Sequence, residues 1–159
     1  MSSEEVKRRI RAALRARATA VDLSGLQMRY MPAEVDALAR LEGLQSLSLS
    51  DNKLDYVPKV VFSLVSLRKL DLSHNNIQSL SRRIAALEKL EELSLRGNSL
   101  QTLVPEIGEL KKLAILDLRG TPIPVPPDIL ARITEPSEIL NAYSQASSSE
   151  NRKPASPYR

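Results

Sequence analysis

Three aspartates, a residue type that acid–base catalysis uses in pairs, occupy equivalent places in three similar segments: Asp22, Asp71 and Asp117. Each lies between two apolar residues, so the segments predict short strands whose aspartates point to the same face of a sheet. Neighbouring strands lie about 4.8 Å apart, and Ser48 and Ser94 fall between the aspartates, which are therefore spaced by roughly 10 Å. This separation is too large for the carboxylate pair of a retaining glycosidase, and an open face would not desolvate the carboxylates. We therefore predict that the protein is not an enzyme.

The other reactive residue types do not assemble a site either. His74 is the only histidine and cysteine is absent, so a histidine-based metal site and a serine–histidine relay both lack their parts. The five glycines never fall into the spacing of a phosphate-binding loop, which leaves nucleotide binding unsupported. We predict no cofactor, no metal ion and no small-molecule substrate.

A repeat of constant length positions these residues. Four leucines recur every 23 residues, and each opens the same spacing of apolar side chains: Leu41, Leu64, Leu87 and Leu110. In three repeats an asparagine follows, whose carboxamide can bond both donors and acceptors of a buried turn: Asn52, Asn75 and Asn98. Thr121 replaces it in the fourth repeat, and Leu26 replaces it in an earlier partial copy. A period of about 20 to 29 residues with this pattern predicts a solenoid whose repeats bury their apolar sides against one another.

Residues 52–64 and 98–110 resemble the signature N-x-L-x-x-L-P-x-x-I-x-x-L of leucine-rich repeat proteins, although Ser81 and Val104 depart from its proline. The resemblance covers residues 18–144 and is greatest to the typical 23-residue intracellular subclass, which is related to the Ras group. It implies an α/β fold: a right-handed solenoid of about five coils, with a parallel β-sheet on the concave face and helical caps at both ends. Residues 20–133 would form the repeats.

The repeat register places polar side chains in columns on the concave face, and we predict that this face binds a protein partner. The predicted contact residues are Asp22, Ser48, Asp71, Ser94, Asp117, Ser50, Ser73, Arg96, Arg119, His74, Lys69 and Glu92. Arg96 and Arg119 occupy neighbouring coils, where their guanidinium groups would grip a carboxylate or phosphate of a partner. Alternatively they pair with Asp117 or Glu92 in the same face. The sequence leaves these two interpretations open.

The N-terminal segment differs from the repeats in its charge. Residues 1–19 carry six basic and two acidic side chains. They predict a basic capping helix whose Val6, Ile10 and Leu14 cover the first coil. The arginines offer an alternative contact with nucleic acid or a membrane surface, which we disfavour because the apolar stripe is narrow and poor in aromatic residues.

The C-terminal segment predicts two parts. Residues 134–144 predict a helical cap over the last repeat. Residues 145–159 are polar and short of apolar groups, so they predict a disordered tail, in which Ser156 offers a site for a proline-directed kinase.

Composition limits where in the cell the protein is expected and which class of partner it is expected to bind. The net charge is +4, but residues 20–144 carry 14 basic and 16 acidic side chains, so a nucleic-acid-binding groove along the repeats is not supported. Cysteine, glycosylation acceptors and long apolar runs are all missing, which predicts a cytoplasmic protein that is a monomer on its own. We expect a non-enzymatic interaction module, an adaptor or regulatory subunit in intracellular signalling or cytoskeletal assembly. The alternative is a structural subunit of a large complex that uses its basic termini as ties.

Overall fold

The computed structural model describes residues 2–150, with side chains from residue 3 to residue 148. Five short parallel strands form one sheet in which chain neighbours are also sheet neighbours. The strands are β1 (Ala20–Asp22), β2 (Ser46–Ser48), β3 (Lys69–Asp71), β4 (Glu92–Ser94) and β5 (Ile115–Asp117). The α-helices are α1 (Ser2–Ala16), α2 (Pro127–Leu130) and α3 (Pro136–Glu150). Short 3-10 helices return the chain between strands, and the result is the right-handed solenoid that the repeat predicts.

The strand register follows the repeat length. Ser46 pairs with Lys69, and Lys69 pairs with Glu92, so each partner lies 23 residues further along the chain. Between β1 and β2 the offset is 26 residues, because Ala20 pairs with Ser46. The extra length lies in the first 3-10 helix, Ala33–Arg40, which has eight residues where the next three 3-10 helices have five.

A continuous stack of aliphatic side chains fills the interior of the solenoid. The middle residue of every strand is buried: Val21, Leu47, Leu70, Leu93 and Leu116. The leucines that open the repeats are buried as well: Leu41, Leu64, Leu87 and Leu110. Full burial of one such side chain contributes roughly 1.5–3 kcal/mol, so this stack supplies most of the stabilisation of the coils.

Stacked asparagines fix the turn that follows each inner strand. The Asn75 amide nitrogen donates to the carbonyl oxygens of Leu49 at 2.9 Å and Leu72 at 3.1 Å. Its Oδ1 accepts the backbone N–H of Leu54 at 3.0 Å. Asn52 and Asn98 make the corresponding bonds in their own coils. Each asparagine therefore joins two adjacent coils while satisfying buried backbone groups.

The residue before each of these positions adopts a left-handed backbone conformation. The column consists of Gly25, Asp51, His74, Gly97 and Gly120, with φ angles between 53° and 72°. Glycine adopts this conformation without strain, whereas Asp51 and His74 do so at a steric cost. Gly97 has a second requirement, because a Cβ at that position would lie 2.6 Å from Nδ1 of His74.

Helices cover both ends of the stack. Val6, Ile10 and Ala13 of α1 are buried against the first coil, and Ile139 of α3 is buried against the last. Lys7 of α1 also forms an ion pair with Glu34 of the first 3-10 helix, with a separation of 3.2 Å.

The C-terminal helix is longer than the sequence indicated. We expected residues 145–159 to be a tail, and this is wrong for 145–150, where α3 continues to Glu150. The hydroxyls of Ser147 and Ser148 donate to the carbonyl oxygens of Tyr143 and Ser144, four residues back, at 3.0 and 2.9 Å. Serines that bond within the helix in this way remain compatible with it. Residues 151–159, which include Ser156, lie outside the described part of the chain.

The outer edges of the sheet are occupied by other parts of the chain. At β1, Nη1 of Arg9 donates to the carbonyl oxygen of Asp22 at 3.1 Å. At β5, the backbone N–H of Leu116 donates to the carbonyl oxygen of Ile133 at 2.8 Å. Among residues 2–150, no helix is both long enough and apolar enough to cross a bilayer.

Candidate interaction surface on the sheet

The outward side chains of the five strands, together with the residues that directly follow them, form a polar surface that we call the sheet face. Strand pairing sets its central column in the predicted order Asp22, Ser48, Asp71, Ser94, Asp117. A shallow depression of 330 Å³ lies over β2 to β5, and six of the twelve predicted contact residues line it: Ser48, Lys69, Asp71, Glu92, Ser94 and Asp117. The face is open, with no enclosed cleft above the aspartates.

The aspartates of the central column bond to the residue two positions further on. Oδ1 of Asp71 accepts the backbone N–H of Ser73 at 2.9 Å and its hydroxyl at 2.6 Å. Oδ1 of Asp22 accepts the backbone N–H of Ser24 at 2.9 Å, and hydrogen bonds from Ser24 lower the pKa of Asp22. The oxygens of these carboxyl groups accept bonds that hold the end of their own strand, which is a structural use.

Of the two interpretations of Arg96 and Arg119, pairing within the same face applies to Arg119, whose partner is Asp117. Arg119 donates to it through Nε at 2.9 Å and through Nη2 at 2.8 Å, in the bidentate arrangement that suits a guanidinium and a carboxylate. Burial raises the pKa of Asp117, but the hydrogen bonds from Arg119 outweigh burial and hold the pKa below its ordinary value. Arg119 is therefore already paired within the sheet face.

Arg96 behaves differently. Its side chain is exposed, and within residues 2–150 it makes no hydrogen bond or ion pair. It lies close enough to Asp117 to contribute to the lowered pKa of that carboxyl group. A guanidinium that is held on a rigid coil and is not neutralised by a bonded partner is available to an incoming carboxylate.

The remaining predicted residues lie in the depression or at its rim. Lys69 and Glu92 lie 3.5 Å apart across β3 and β4, and both side chains are well exposed. The hydroxyls of Ser48 and Ser50 lie 3.2 Å apart. His74 is exposed at the rim. Neither partner of the Lys69–Glu92 pair is strongly held, since exposed ion pairs contribute only about 0–1 kcal/mol.

Two residues of this surface were not among those predicted. Ser46 and Ile115 occupy the same column as Lys69 and Glu92 and line the depression. The repeat register identifies them directly, because Ser46 is the equivalent of Lys69 in the preceding coil and Ile115 is the equivalent of Glu92 in the following coil. Ile115, which is half-buried, gives the face an apolar point beside Glu92.

The geometry of the sheet face supports binding of a partner better than it supports catalysis. Within the described residues, no group of three or more histidine, cysteine, aspartate or glutamate side chains is placed to hold a metal ion. The sheet face offers paired charges, hydroxyls and one uncommitted arginine on a surface whose backbone is fixed from behind.

The repeat pattern matches a family model described as leucine rich repeat, over residues 33–77 and again over 65–123. These two matches together cover more than half of the chain, from the first 3-10 helix to Ile123 in the last repeat. The chain belongs to the leucine-rich repeat family. Members of this family are solenoids that bind other proteins, and their fold is that of an interaction scaffold.

Several solved structures are similar to this chain, each with a TM-score below 0.5. A leucine-rich repeat protein of Leptospira interrogans is 26% identical, with a TM-score of 0.46 over 72% of this chain and 41% of that protein. An internalin of Listeria monocytogenes is 25% identical, with a TM-score of 0.49 over 63% of this chain and 29% of that one. The BIR2 ectodomain of Arabidopsis thaliana is 24% identical, with a TM-score of 0.47 over 55% and 60%. This chain thus spans less than two thirds of the length of each. No curated protein matches it.

Proposed function

We propose that this protein is an interaction module whose sheet face binds a protein partner, and that it acts as an adaptor or regulatory subunit in cytoplasmic signalling or cytoskeletal assembly. One observation carries the proposal. Behind the sheet the side chains repeat from coil to coil, whereas the sheet face presents a different combination of charge and hydroxyl in each coil. The variable residues of such a surface can determine which partner binds, while the scaffold beneath them stays the same.

The chemistry of the sheet face favours a polar contact. Its strand positions carry no aromatic residue, and of the aliphatic residues that line the depression only Ile115 is half-exposed, because Leu47, Leu70 and Leu93 are buried. Aromatic residues usually anchor tight interfaces, so affinity here would depend on charge and hydrogen bonding. Such a contact weakens as salt screens the charges. A partner with a carboxylate opposite Arg96 fits best.

Arg96→Glu is the variant that tests the proposal. The side chain is exposed and unpaired, so its reversal leaves the fold intact. Arg119→Glu is less suitable, because it would place a second carboxylate beside Asp117 and destabilise the strand end. The matched control is Arg83→Glu, which reverses the charge of an exposed arginine in the third 3-10 helix, Arg82–Ala86, on the opposite side of the coils.

The measurement is affinity purification of the tagged full chain at low and moderate salt, followed by mass spectrometry. We expect a set of proteins that the wild type and Arg83→Glu retain, that Arg96→Glu loses, and that moderate salt weakens. Equal capture by all three chains would place the interface away from the sheet face. Circular dichroism of each variant confirms that folding is unchanged.

A further inference from the structure

A second surface, away from the sheet face, lies between α1 and the first coil. A cavity of 1110 Å³ opens here to solvent. One wall is a line of arginines on α1, and the floor is the turn that contains Gly25, Leu26 and Gln27. We call this the cap cleft. Its volume exceeds the roughly 300–1,000 Å³ of small-molecule pockets, so a chain segment suits it better.

The arginines of the cap cleft are unequally neutralised. Arg8 donates to Glu5 through Nε at 2.8 Å and Nη2 at 2.6 Å. Arg8, helped by Arg9, lowers the pKa of Glu5 to about 2. Arg11 and Arg15 are exposed and have no bonded partner within the described part of the chain. They are four residues apart on one helix face, where like charges repel each other unless an anion lies between them.

The partners available to Arg11 on neighbouring elements do not neutralise it. Glu34 on the first 3-10 helix lies near enough for Arg11 to contribute to its lowered pKa, but the backbone of Glu34 itself and Lys7 are the main causes. Lys7 also forms the ion pair with Glu34. Glu34 is therefore already paired with Lys7, and Arg11 and Arg15 line the cleft with no ion-pair partner among the described residues.

Apolar contact area adjoins these charges. Leu26 lies in the floor, and Gln27, in a left-handed conformation with φ of 55°, is shared with a smaller cavity that reaches Tyr30. Tyr30 is 61% exposed, and Tyr56, at the equivalent position of the next coil, is 55% exposed. Exposed tyrosines on a rigid scaffold are typical anchors of protein interfaces.

We propose that the cap cleft binds an extended, acidic peptide segment of a partner protein, with carboxylates on Arg11 and Arg15 and an apolar side chain against Leu26 and Tyr30. Glu4 and Glu5 also line the cleft. Their carboxylates would repel a uniformly anionic surface such as a nucleic acid backbone or a lipid headgroup layer, whereas a peptide can place its charges selectively.

Fluorescence anisotropy of a short labelled peptide tests this inference, with the full chain at low salt. The probe consists of glutamate and serine with a single phenylalanine. We expect it to bind, and expect Arg11→Glu combined with Arg15→Glu to weaken binding roughly tenfold or more. The charge-matched control reverses Arg83 and Arg132, two exposed arginines outside the cleft, and should change binding by less than about twofold. Tyr30→Ser should weaken binding of this peptide. It should not change binding of a matched peptide in which serine replaces the phenylalanine.

Several outcomes would overturn the proposal. Equal weakening by both double variants would mean that the peptide senses only total charge. Absence of binding, or equal binding of a peptide with lysine in place of glutamate, would remove the acidic specificity. Tighter binding of phosphatidylserine vesicles or of an oligothymidine strand through Arg11 and Arg15 would replace the peptide by a membrane or a nucleic acid. Because Arg96 is not involved, failure here leaves the proposal for the sheet face unaffected.

Discussion

The turns behind the sheet and the sheet face begin at the same strand ends, yet they use polar side chains in opposite ways. Behind the sheet, Asn52, Asn75 and Asn98 are buried and bond to the backbone of two coils. On the face, Asp71 and Asp117 bond to residues of their own coil. Bonds between coils hold the scaffold together, whereas bonds within a coil only shape its surface. We therefore expect substitutions behind the sheet to lower the free energy of unfolding strongly, and substitutions on the sheet face to lower it little.

Leu93→Ala should have the largest effect. Leu93 is fully buried in the middle of β4, and its truncation leaves a cavity between two coils. We expect a loss of about 2–5 kcal/mol in the free energy of unfolding, measured by urea denaturation. Val65→Ala is the control, since Val65 is 56% exposed and should change stability by less than about 0.5 kcal/mol. Similar losses for both would argue against a tightly packed interior.

Asn75→Ala tests the bonds between coils. The carbonyl oxygens of Leu49 and Leu72 keep a second donor, from Asn52 and Asn98 respectively, but the N–H of Leu54 loses its partner. We expect a loss of about 1–3 kcal/mol, because a buried donor is left unsatisfied.

Hydrogen exchange of the Leu54 amide should accelerate in the same variant. The neighbouring exposed residue provides the control, since Asn76→Ala should change stability by less than about 0.5 kcal/mol. Equal effects of the two substitutions would mean that the asparagine stack adds little to stability.

Gly97→Ala tests the left-handed column between the two regions. The substitution puts a Cβ at φ of +68° and 2.6 Å from Nδ1 of His74, so we expect a loss of about 1–2 kcal/mol in a thermal melt. The same change in a His74→Gly background should cost less, because the steric contact is gone. Gly108→Ala, with open space around its Cβ, is the control. An unchanged cost in the double variant would assign the strain to the backbone alone.

The ion pair of the sheet face should have the smallest effect. The folded-state pKa of Asp117 is lowered, so its contribution is complete above the unfolded pKa of about 3.9 and disappears as pH falls through the folded pKa. Asp117 is buried, but the side chain of Arg119 is 39% exposed and solvent screens the pair, so Asp117→Asn should cost less than about 1 kcal/mol at pH 7. The difference from wild type should shrink below about pH 4 in urea denaturation. A difference that persists at lower pH would show that packing, and not charge, holds Asp117.

The repeat period predicts the fold in considerable detail. Leucine spacing gives the pairing of Ser46, Lys69 and Glu92, because a 23-residue coil adds one strand at a time. The buried asparagines follow from the same register. The eight-residue 3-10 helix of the first coil and the length of α3 do not follow, since both depend on packing against caps whose angle no short pattern encodes.

The sheet face is predicted less completely. Its columns are correct, and their role in binding stays a prediction. The local bonds of Asp22 and Asp71 had a recognisable signal, an aspartate two residues before a serine, which favours a bond to the following backbone N–H. No sequence signal indicates that Asp117 pairs with Arg119 and not with Arg96, because this pairing depends on side-chain rotamers. The cap cleft was missed because only the docked position of α1 creates it.

The bonds at the two edges of the sheet bear on how copies of the chain can associate. A solenoid whose terminal strands were free would present the same unpaired backbone groups at each end, and copies could add to one another head to tail without limit. Arg9 at the Asp22 carbonyl and the Ile133 carbonyl at Leu116 occupy the sites where such growth would begin. We therefore expect that copies of the chain do not add to one another through the edges of the sheet, and sedimentation of the full chain over a range of concentrations would check this expectation.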